Sequence, residues 1–306
     1  MPLPKKLLLS LVLAISAIPA IAGPIVYVVS QDTNSGATQF GTVDLFSGAF
    51  TLIGPGATEG SQGLTQGSGG ALLTLGFGGN LDSINRAIGA ASTIGATGLG
   101  DCSTPVSPCG PNSANSLVGL AGFFYATDLD NNLYTVNPTT GQATLKGATG
   151  ISPLPYHLLA TNPDGSTNTF DETLFTAGGN LFATFDANQI NFGTFSINNV
   201  VAPSLYRINP ATGIATRIGA TANGLSAAVN VNGIVYAFDA QTSEILRLDP
   251  TNGNTTFVSN YDSSLLITGA AATPEPSSIA LAMIGVAAMV ARRRRSPAIK
   301  SAVPEN

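Results

Sequence analysis

The chain has few of the side chains that carry most enzyme chemistry. Its 306 residues include one histidine, two cysteines and no tryptophan, and only 9% are charged. A single histidine, His157, excludes a metal centre with two histidine ligands and leaves a Ser-His-Asp triad only through that residue. His157 is therefore a candidate for ligand or ion binding, beside the interpretation that it is an ordinary surface residue.

Positive charge is scarce between residues 23 and 272. This region holds five basic residues against fifteen acidic ones, which gives a net charge of −10. An acidic surface repels phosphate backbones, so the composition excludes nucleic acid as a partner. No motif in the chain requires a cofactor, and we expect none.

The first 22 residues have the order of a secretory signal peptide. Two lysines precede the apolar stretch "LLLSLVLAISAIPAI", and Ala20 and Ala22 then form an A-x-A cleavage site before Gly23. The apolar stretch is shorter than the roughly 20 residues that a membrane-spanning helix needs. The pattern predicts export by the secretion translocase and cleavage after Ala22, with a permanent N-terminal anchor as the alternative.

Residues 273–306 carry a second targeting pattern. A Pro-Glu-Pro break is followed by the apolar residues 277–291 and then by four arginines. This order resembles the PEP-CTERM sorting signal of exported bacterial proteins, which exosortase enzymes process. The signal residues are Pro274, Glu275, Pro276, Arg292, Arg293, Arg294 and Arg295.

The resemblance implies a route for the protein. Residues 277–291 would form a transient transmembrane helix, with the arginines retained on the cytoplasmic side as a stop. The mature body would then be released or attached at the cell surface or in the extracellular matrix, in a cell that produces exopolysaccharide. An ordinary C-terminal membrane anchor is the alternative, and the eleven-residue tail after the arginines is longer than such signals usually carry.

Between these ends, one fifteen-residue phrase recurs five times without a gap. The copies are "FGTVDLFSGAFTLIG" from Phe40, "LDSINRAIGAASTIG" from Leu81, "LYTVNPTTGQATLKG" from Leu133, "LYRINPATGIATRIG" from Leu205 and "ILRLDPTNGNTTFVS" from Ile245. Each copy reads as an alternating strand, a turn with glycine, and a second alternating strand. The phrase therefore predicts a β-hairpin in every copy.

A further strand pair precedes most hairpins, so the repeating unit has four strands, a, b, c and d. The shortest spacings between copies, 40 and 41 residues, match one blade of a β-propeller. We predict an all-β propeller of five blades over residues 23–272, or six if the 72-residue interval holds a degenerate copy. The phrase resembles bacterial propellers of the "LYxINPxTG" type, which implies a fold and no activity. The first body strand matches b and the last matches a, so we expect the two chain ends to share a blade and close the ring.

Three long connections fall on one end of this ring. Residues 100–115 and 151–170 connect strand d to the next strand a, and residues 188–204 connect b to c. Connections of these two kinds share one face of a propeller, and we expect that face to be the interaction surface. Drift in tolerant loops is the alternative.

The remaining candidates lie in or beside these connections. Cys102 and Cys109, in a proline-rich stretch, predict a loop-closing disulfide rather than a metal pair. Asp164, Asp171 and Glu172 are candidates for a calcium ion or for a carboxylate pair, although turns rich in Asp and Asn look similar. The segment "DLDNN" from Asp128 lacks the glycine of a calcium loop, and we interpret it as a b-to-c turn.

Two classes of function are compatible with the sequence. One is a non-catalytic surface protein that binds a glycan or a protein partner. The other is a secreted glycan hydrolase or lyase that uses acids near the channel mouth. The lack of tryptophan argues against quinone-cofactor and sialidase-type propellers, whose blade motifs contain it.

Overall fold

A computed structural model describes residues 23–57, 60–67, 70–100, 114–151, 166–191, 196–222 and 224–273. The chain divides into two units, Met1–Ala272 and Thr273–Asn306. Among the described residues of the first unit, twenty strands form five antiparallel four-stranded sheets, which we call blades 1 to 5. The second unit, apart from Thr273, lies outside the described residues.

The four strands of each blade are stacked in order from the axis of the ring to its outside. Blade 1 consists of β20 (Leu265–Ala272), β1 (Ile25–Asp32), β2 (Thr38–Asp44) and β3 (Phe50–Gly54). Blade 2 consists of β4 (Ser61–Gln66), β5 (Leu72–Gly76), β6 (Asn80–Ile84) and β7 (Ala91–Ala96). Blade 3 consists of β8 (Ala114–Leu120), β9 (Phe123–Asp128), β10 (Asn132–Val136) and β11 (Ala143–Ala148). Blade 4 consists of β12 (Ser166–Ala177), β13 (Asn180–Asn191), β14 (Ser196–Ile208) and β15 (Ala215–Ala220). Blade 5 consists of β16 (Leu225–Val231), β17 (Ile234–Asp239), β18 (Glu244–Leu248) and β19 (Thr255–Asn260).

The five copies of the phrase form the third and fourth strands of the five blades, which confirms the predicted hairpins and the count of five. The fifth residue of each copy caps the turn through its side chain. In blade 3, for example, Asn137 Oδ1 accepts hydrogen bonds from the backbone N–H groups of Thr139 and Thr140 at 2.8 and 3.2 Å. The turn glycine of this copy, Gly141, has φ = 81°, a conformation that glycine adopts without strain.

The hydrophobic core lies between blades rather than within one of them. Buried apolar residues form five clusters, one at each junction: blades 1 and 2, 2 and 3, 3 and 4, 4 and 5, and 5 and 1. The junction between blades 5 and 1 includes Phe238 and Val28, both 0% exposed. Five junctions that return to the first blade make a closed ring, as expected of a propeller.

The ring is closed by the two ends of the body. Strand β20 pairs antiparallel with β1 from Asp32↔Leu265 to Val26↔Ala272 and supplies the innermost strand of blade 1. This confirms the predicted closure. It also removes the free edge that β1 would otherwise expose.

A second contact between neighbouring blades runs around the outside of the ring and explains the last glycine of the phrase. A Cβ on Gly95 or Gly219 would overlap the backbone carbonyl of Thr140 or Asn252, in the hairpin turn of the next blade. Between blades 5 and 1 the equivalent residue is Ser259, whose hydroxyl donates to the Leu45 carbonyl at 2.8 Å. We call these contacts the outer clasp.

Blade 4 departs from the other four. Strands β12, β13 and β14 have 12, 12 and 13 residues, whereas strands in the other blades have 5 to 8. Some of the residues that the sequence predicts to lie in the connections 151–170 and 188–204 are strand instead. Strand β12 pairs with β13 from Phe170↔Ala187 to Ser166↔Asn191, and the pairing of β13 with β14 has irregularities in its register. We call this part of β12, β13 and β14 the blade 4 extension. It projects on the side of the b-to-c and d-to-a connections, which we call the upper face.

Candidate functional site

The axis of the ring is lined by the innermost strand of every blade. A cavity of about 210 Å³ lies there, bordered by β4, β8, β12, β16 and β20. Close approach of these strands requires glycine at two points, since a Cβ on Gly269 would lie 2.6 Å from Leu64 N and one on Gly63 would overlap β8. The polar side chains that border this cavity, which include Thr65, Gln66 and Asn230, are uncharged.

Two further cavities lie between blades. One of about 790 Å³ joins blades 4 and 5 and is bordered by Arg207, Ile214 and Pro250, and one of about 500 Å³ joins blades 2 and 3. Arg207 Nη2 donates to Asn180 Oδ1 at 2.7 Å on the wall of the larger one. Among the described residues, no Asp, Glu or His lines any of these three cavities.

The acidic side chains with raised pKa values gather instead toward the upper face of blade 4. Asp171 and Glu172 are consecutive on β12, so their side chains point to opposite faces of the strand. Glu172 reaches blade 3 and Asp171 reaches blade 5. The two predicted site residues therefore lie in different blade junctions and do not form a carboxylate pair with each other.

Glu172 is 6% exposed in the junction of blades 3 and 4. Its Oε2 accepts a hydrogen bond from Asn115 Nδ2 at 2.6 Å. Burial, opposed by the hydrogen bonds and assisted by the charge of Asp128, raises the pKa of Glu172 to about 7. A large fraction of Glu172 is therefore protonated near neutral pH.

Asp128 ends β9 and is 0% exposed. Its Oδ1 accepts from the Asn132 backbone N–H at 2.8 Å, and its Oδ2 accepts from Asn132 Nδ2 at 3.0 Å and from the Tyr134 hydroxyl at 2.8 Å. Burial is the main reason that the pKa of Asp128 is raised. Both oxygens of Asp128 therefore accept hydrogen bonds from residues at the start of β10, in agreement with the interpretation of "DLDNN" as a b-to-c turn.

A second group of carboxylates occupies the junction of blades 4 and 5. Asp186 is 3% exposed, and burial together with the charges of Asp171 and Asp239 raises its pKa to about 7. Its Oδ2 accepts from Asn188 Nδ2 at 3.1 Å. Burial also raises the pKa of Asp171, which hydrogen-bonds to Gln241. Burial, assisted by the neighbouring acids, thus leaves a large fraction of Asp186 protonated near neutral pH.

Sequence reasoning missed most of these partners, although a signal was present. An aspartate follows the same apolar pattern of strand b in three of the five blades, as "FYATD", "FATFD" and "VYAFD"; Asp128 and Asp239 end their strands, whereas β13 continues past Asp186 to Asn191. Because strand b runs toward the upper face, the three acids lie on that side of their blades, Asp128 near Glu172 of blade 4 and Asp239 near Asp171 and Asp186 of blade 4. Asn115 and Gln241 carry no comparable repeat signal.

Several predicted residues lie outside the part of the chain that the structure describes. These are Ala20, Ala22, Cys102, Cys109, His157, Asp164, Pro274, Glu275, Pro276 and the four arginines from Arg292 to Arg295. The predicted helix 277–291 lies there too, and no helix among the described residues is long and apolar enough to cross a membrane. Over the same described ranges, no three Asp, Glu, His or Cys side chains are grouped as metal ligands.

Comparison with protein families identifies the C-terminal segment. Residues 272–295 match the PEP-CTERM protein-sorting motif, which confirms the resemblance seen in the sequence. The motif marks the chain as an exported protein that is anchored at the membrane and sorted by an exosortase. A search of curated proteins found no match to the chain.

Solved structures similar to the chain are distant. A nidogen/laminin complex chain is 10% identical, with a TM-score of 0.44 over 81% of this chain and 97% of that chain. A Bacteroides thetaiotaomicron structural genomics protein of unknown function is 15% identical, with a TM-score of 0.45 over 76% of this chain and 57% of that one. Myxococcus xanthus glutaminyl cyclase is 15% identical, with a TM-score of 0.32 over 74% of each chain.

Proposed function

We propose that this exported propeller is a non-catalytic protein of the cell surface or extracellular matrix that binds a glycan or a protein partner through its upper face. The observation that carries the proposal is the blade 4 extension. Three strands of 12, 12 and 13 residues break the fivefold regularity of the ring on one face alone. Elaboration of one face of a rigid scaffold is typical of binding surfaces.

The placement of the acids supports binding rather than catalysis. Glu172 and Asp186 are 6% and 3% exposed, in two different blade junctions. Among the described residues, no acid borders the three cavities described above. A glycosidase needs two carboxylates on either side of an open substrate site.

The route to the surface follows from the two ends of the chain. The translocase exports the protein through residues 1–22, and residues 273–306 hold it at the inner membrane until exosortase processes it. Intact mass and cell fractionation in the native host, with and without its exosortase, test this route. Recovery of a shortened protein outside the cell only when exosortase is present supports it. A full-length C-terminus in the inner membrane of both strains would mean a permanently anchored periplasmic propeller.

Binding is tested with polysaccharide purified from the same host. In a trimmed variant, residues 189–198 are replaced by Asn-Gly, which joins Asn188 to Asn199, a pair already opposed in the ladder. We expect the intact protein to co-sediment with the polysaccharide and the trimmed variant to bind at least tenfold more weakly. Ile214→Ser, on the wall of the cavity between blades 4 and 5, is the control for a general surface effect. Equal binding by the trimmed and intact proteins would contradict the proposal.

A glycan hydrolase or lyase is the second candidate, favoured by one observation. Carboxyl groups with a pKa of about 7, as at Glu172 and Asp186, are suited to act as general acids. Release of reducing ends or unsaturated sugars from the host polysaccharide, abolished by Glu172→Gln or Asp186→Asn, would replace the binding proposal with this one.

A further inference from the structure

The start of the body is fitted closely against Asp44. Gly23 is buried, and its backbone nitrogen donates to Asp44 Oδ2 at 3.1 Å. A Cβ on residue 23 would lie 2.5 Å from Asp44 Oδ1 and 2.8 Å from Phe46 Cβ, so a larger residue does not fit without rearrangement. The next residue is also held, because the carbonyl of Pro24 accepts from Leu45 N at 3.0 Å.

Asp44 occupies the turn-capping position of the repeat, and that task does not need a charge. Its Oδ1 accepts from the N–H groups of Phe46 and Ser47, both at 2.9 Å. In blades 2, 3 and 4 an uncharged asparagine caps the same turn. These residues are Asn85, Asn137 and Asn209.

The second oxygen of Asp44 is what distinguishes it from its counterparts. It points to Gly23, whereas in blade 5 the second oxygen of Asp249 is occupied by Asn252 Nδ2 of its own turn, at 2.9 Å. Partial burial opposes ionisation of Asp44, but hydrogen bonds from the N–H groups of Ser47, Phe46 and Gly23 outweigh it and lower its pKa. The carboxylate is therefore charged at neutral pH.

We propose that Asp44 is the binding site for the new N-terminus that signal-peptide removal creates. This inference rests on the export step of the proposed function. Hydrolysis of the Ala22–Gly23 peptide bond consumes one water and leaves a carboxylate on Ala22 and an α-ammonium group on Gly23. The ammonium lies where the amide N–H lay, and its positive charge adds an ion pair to the hydrogen bond that the Asp44 carboxylate already accepts there. Processing thereby fixes the N-terminal end of β1 to the C-terminal end of β2, in the blade that closes the ring.

The test measures the basicity of that amine in the protein purified after export. Mass spectrometry first establishes the N-terminal residue. Acylation of the α-amine is then followed against pH by peptide mapping, with Lys146 as an internal reference. An unpaired α-amine has a pKa of about 7.7–8.0. In the folded protein we expect the pH midpoint of acylation of the Gly23 α-amine to lie at least about half a pH unit above this value. At pH 7 the amine should then be labelled roughly threefold or more slowly than an unpaired one.

Two comparisons separate charge pairing from simple burial. Asp44→Asn keeps the turn cap and the shape, as the asparagines of the other blades do, and should return the midpoint to the ordinary range. Asp249→Asn makes the same change where no chain end is near and should leave the midpoint high. The wild-type protein in denaturant gives a reference that does not depend on either variant.

The outcomes distinguish this inference from the export proposal. A Gly23 N-terminus with a raised midpoint that Asp44→Asn abolishes supports it. A Gly23 N-terminus with the same midpoint folded and denatured overturns the pairing and leaves export intact. A different N-terminal residue overturns the cleavage position and the pairing with it, and retention of residues 1–22 overturns export itself.

Discussion

At the scale of single residues, the buried acids make stability depend on pH. Glu172 and Asp186 each have a pKa of about 7 in the folded protein, far above the ordinary values of 4.5 and 3.8. A raised carboxyl pKa means that the folded state favours the neutral form. The stability that these groups contribute is complete below about pH 4 and is lost as the pH rises through about 7.

We therefore expect the melting temperature to fall by roughly 5 °C or more between pH 5 and pH 8, since each pKa unit corresponds to about 1.4 kcal/mol. Asp186→Asn should flatten this dependence because the amide does not ionise. Asp262→Asn is the control, since its exposed carboxyl has a lowered pKa. Thermal unfolding across this pH range measures the effect, and parallel curves for wild type and Asp186→Asn would contradict it.

The acids also show how far sequence reasoning reaches at this scale. Asp171 and Glu172 stand out in an Asp- and Asn-rich stretch, and both have raised pKa values. Their contacts with different blade junctions follow from the period of two along β12, which applies because Asp171 and Glu172 both lie within the strand. Their partners Asn115 and Gln241 are distant in sequence and come close only through the packing of neighbouring blades.

At the scale of the element, the repeated phrase specified its hairpins because it fixes both the strand alternation and the turn chemistry. The turn does not require the glycine that ends the phrase, since Gly95 and Gly219, which occupy that position, do not adopt positive φ. The reason for glycine there is the outer clasp, a contact with the following blade that cannot be read from one copy of the repeat. The blade 4 extension was missed for a related reason. The polar stretches in "STNTF" and "SINN" resemble loops until a partner strand satisfies their backbone groups.

The outer clasp is tested by Gly219→Ala. The added methyl group overlaps the Asn252 carbonyl, a backbone atom that cannot move aside independently, and we expect a loss of at least about 1–3 kcal/mol in the free energy of unfolding. Gly67→Ala is the matched control, because its nearest neighbour is the flexible end of Leu73 at 3.2 Å. Chemical denaturation measures both variants, and equal stability would mean that the clasp does not constrain the blades.

At the scale of the whole molecule, stability depends on the junction that joins the two ends of the chain. Ile267 on β20 is 0% exposed and packs in the cluster between blades 5 and 1. Truncation of Ile267 to alanine should cost about 2–5 kcal/mol. The same truncation at Ile234, which is 41% exposed at the start of β17, should cost less than about 1 kcal/mol.

Hydrogen exchange locates the damage in these two variants. We expect Ile267→Ala to increase exchange first in β1 and β20, the strands that close the ring. Uniform loss of protection across all five blades would show instead that the ring opens only as one cooperative unit.

Closure by the last strand also sets an order of events during export. Blade 1 cannot be completed until Leu265–Ala272 have been made and have crossed the membrane, so β1, among the first body segments to emerge, waits with one edge unpaired for nearly the whole passage. The sorting motif begins at residue 272, where β20 ends. If the chain is held at the membrane by that motif, the arriving strand stays close to its partner before the protein is free to meet another copy whose open edge it could pair with. In that case the position of the motif would protect the newly exported chain from misassembly as well as direct its sorting.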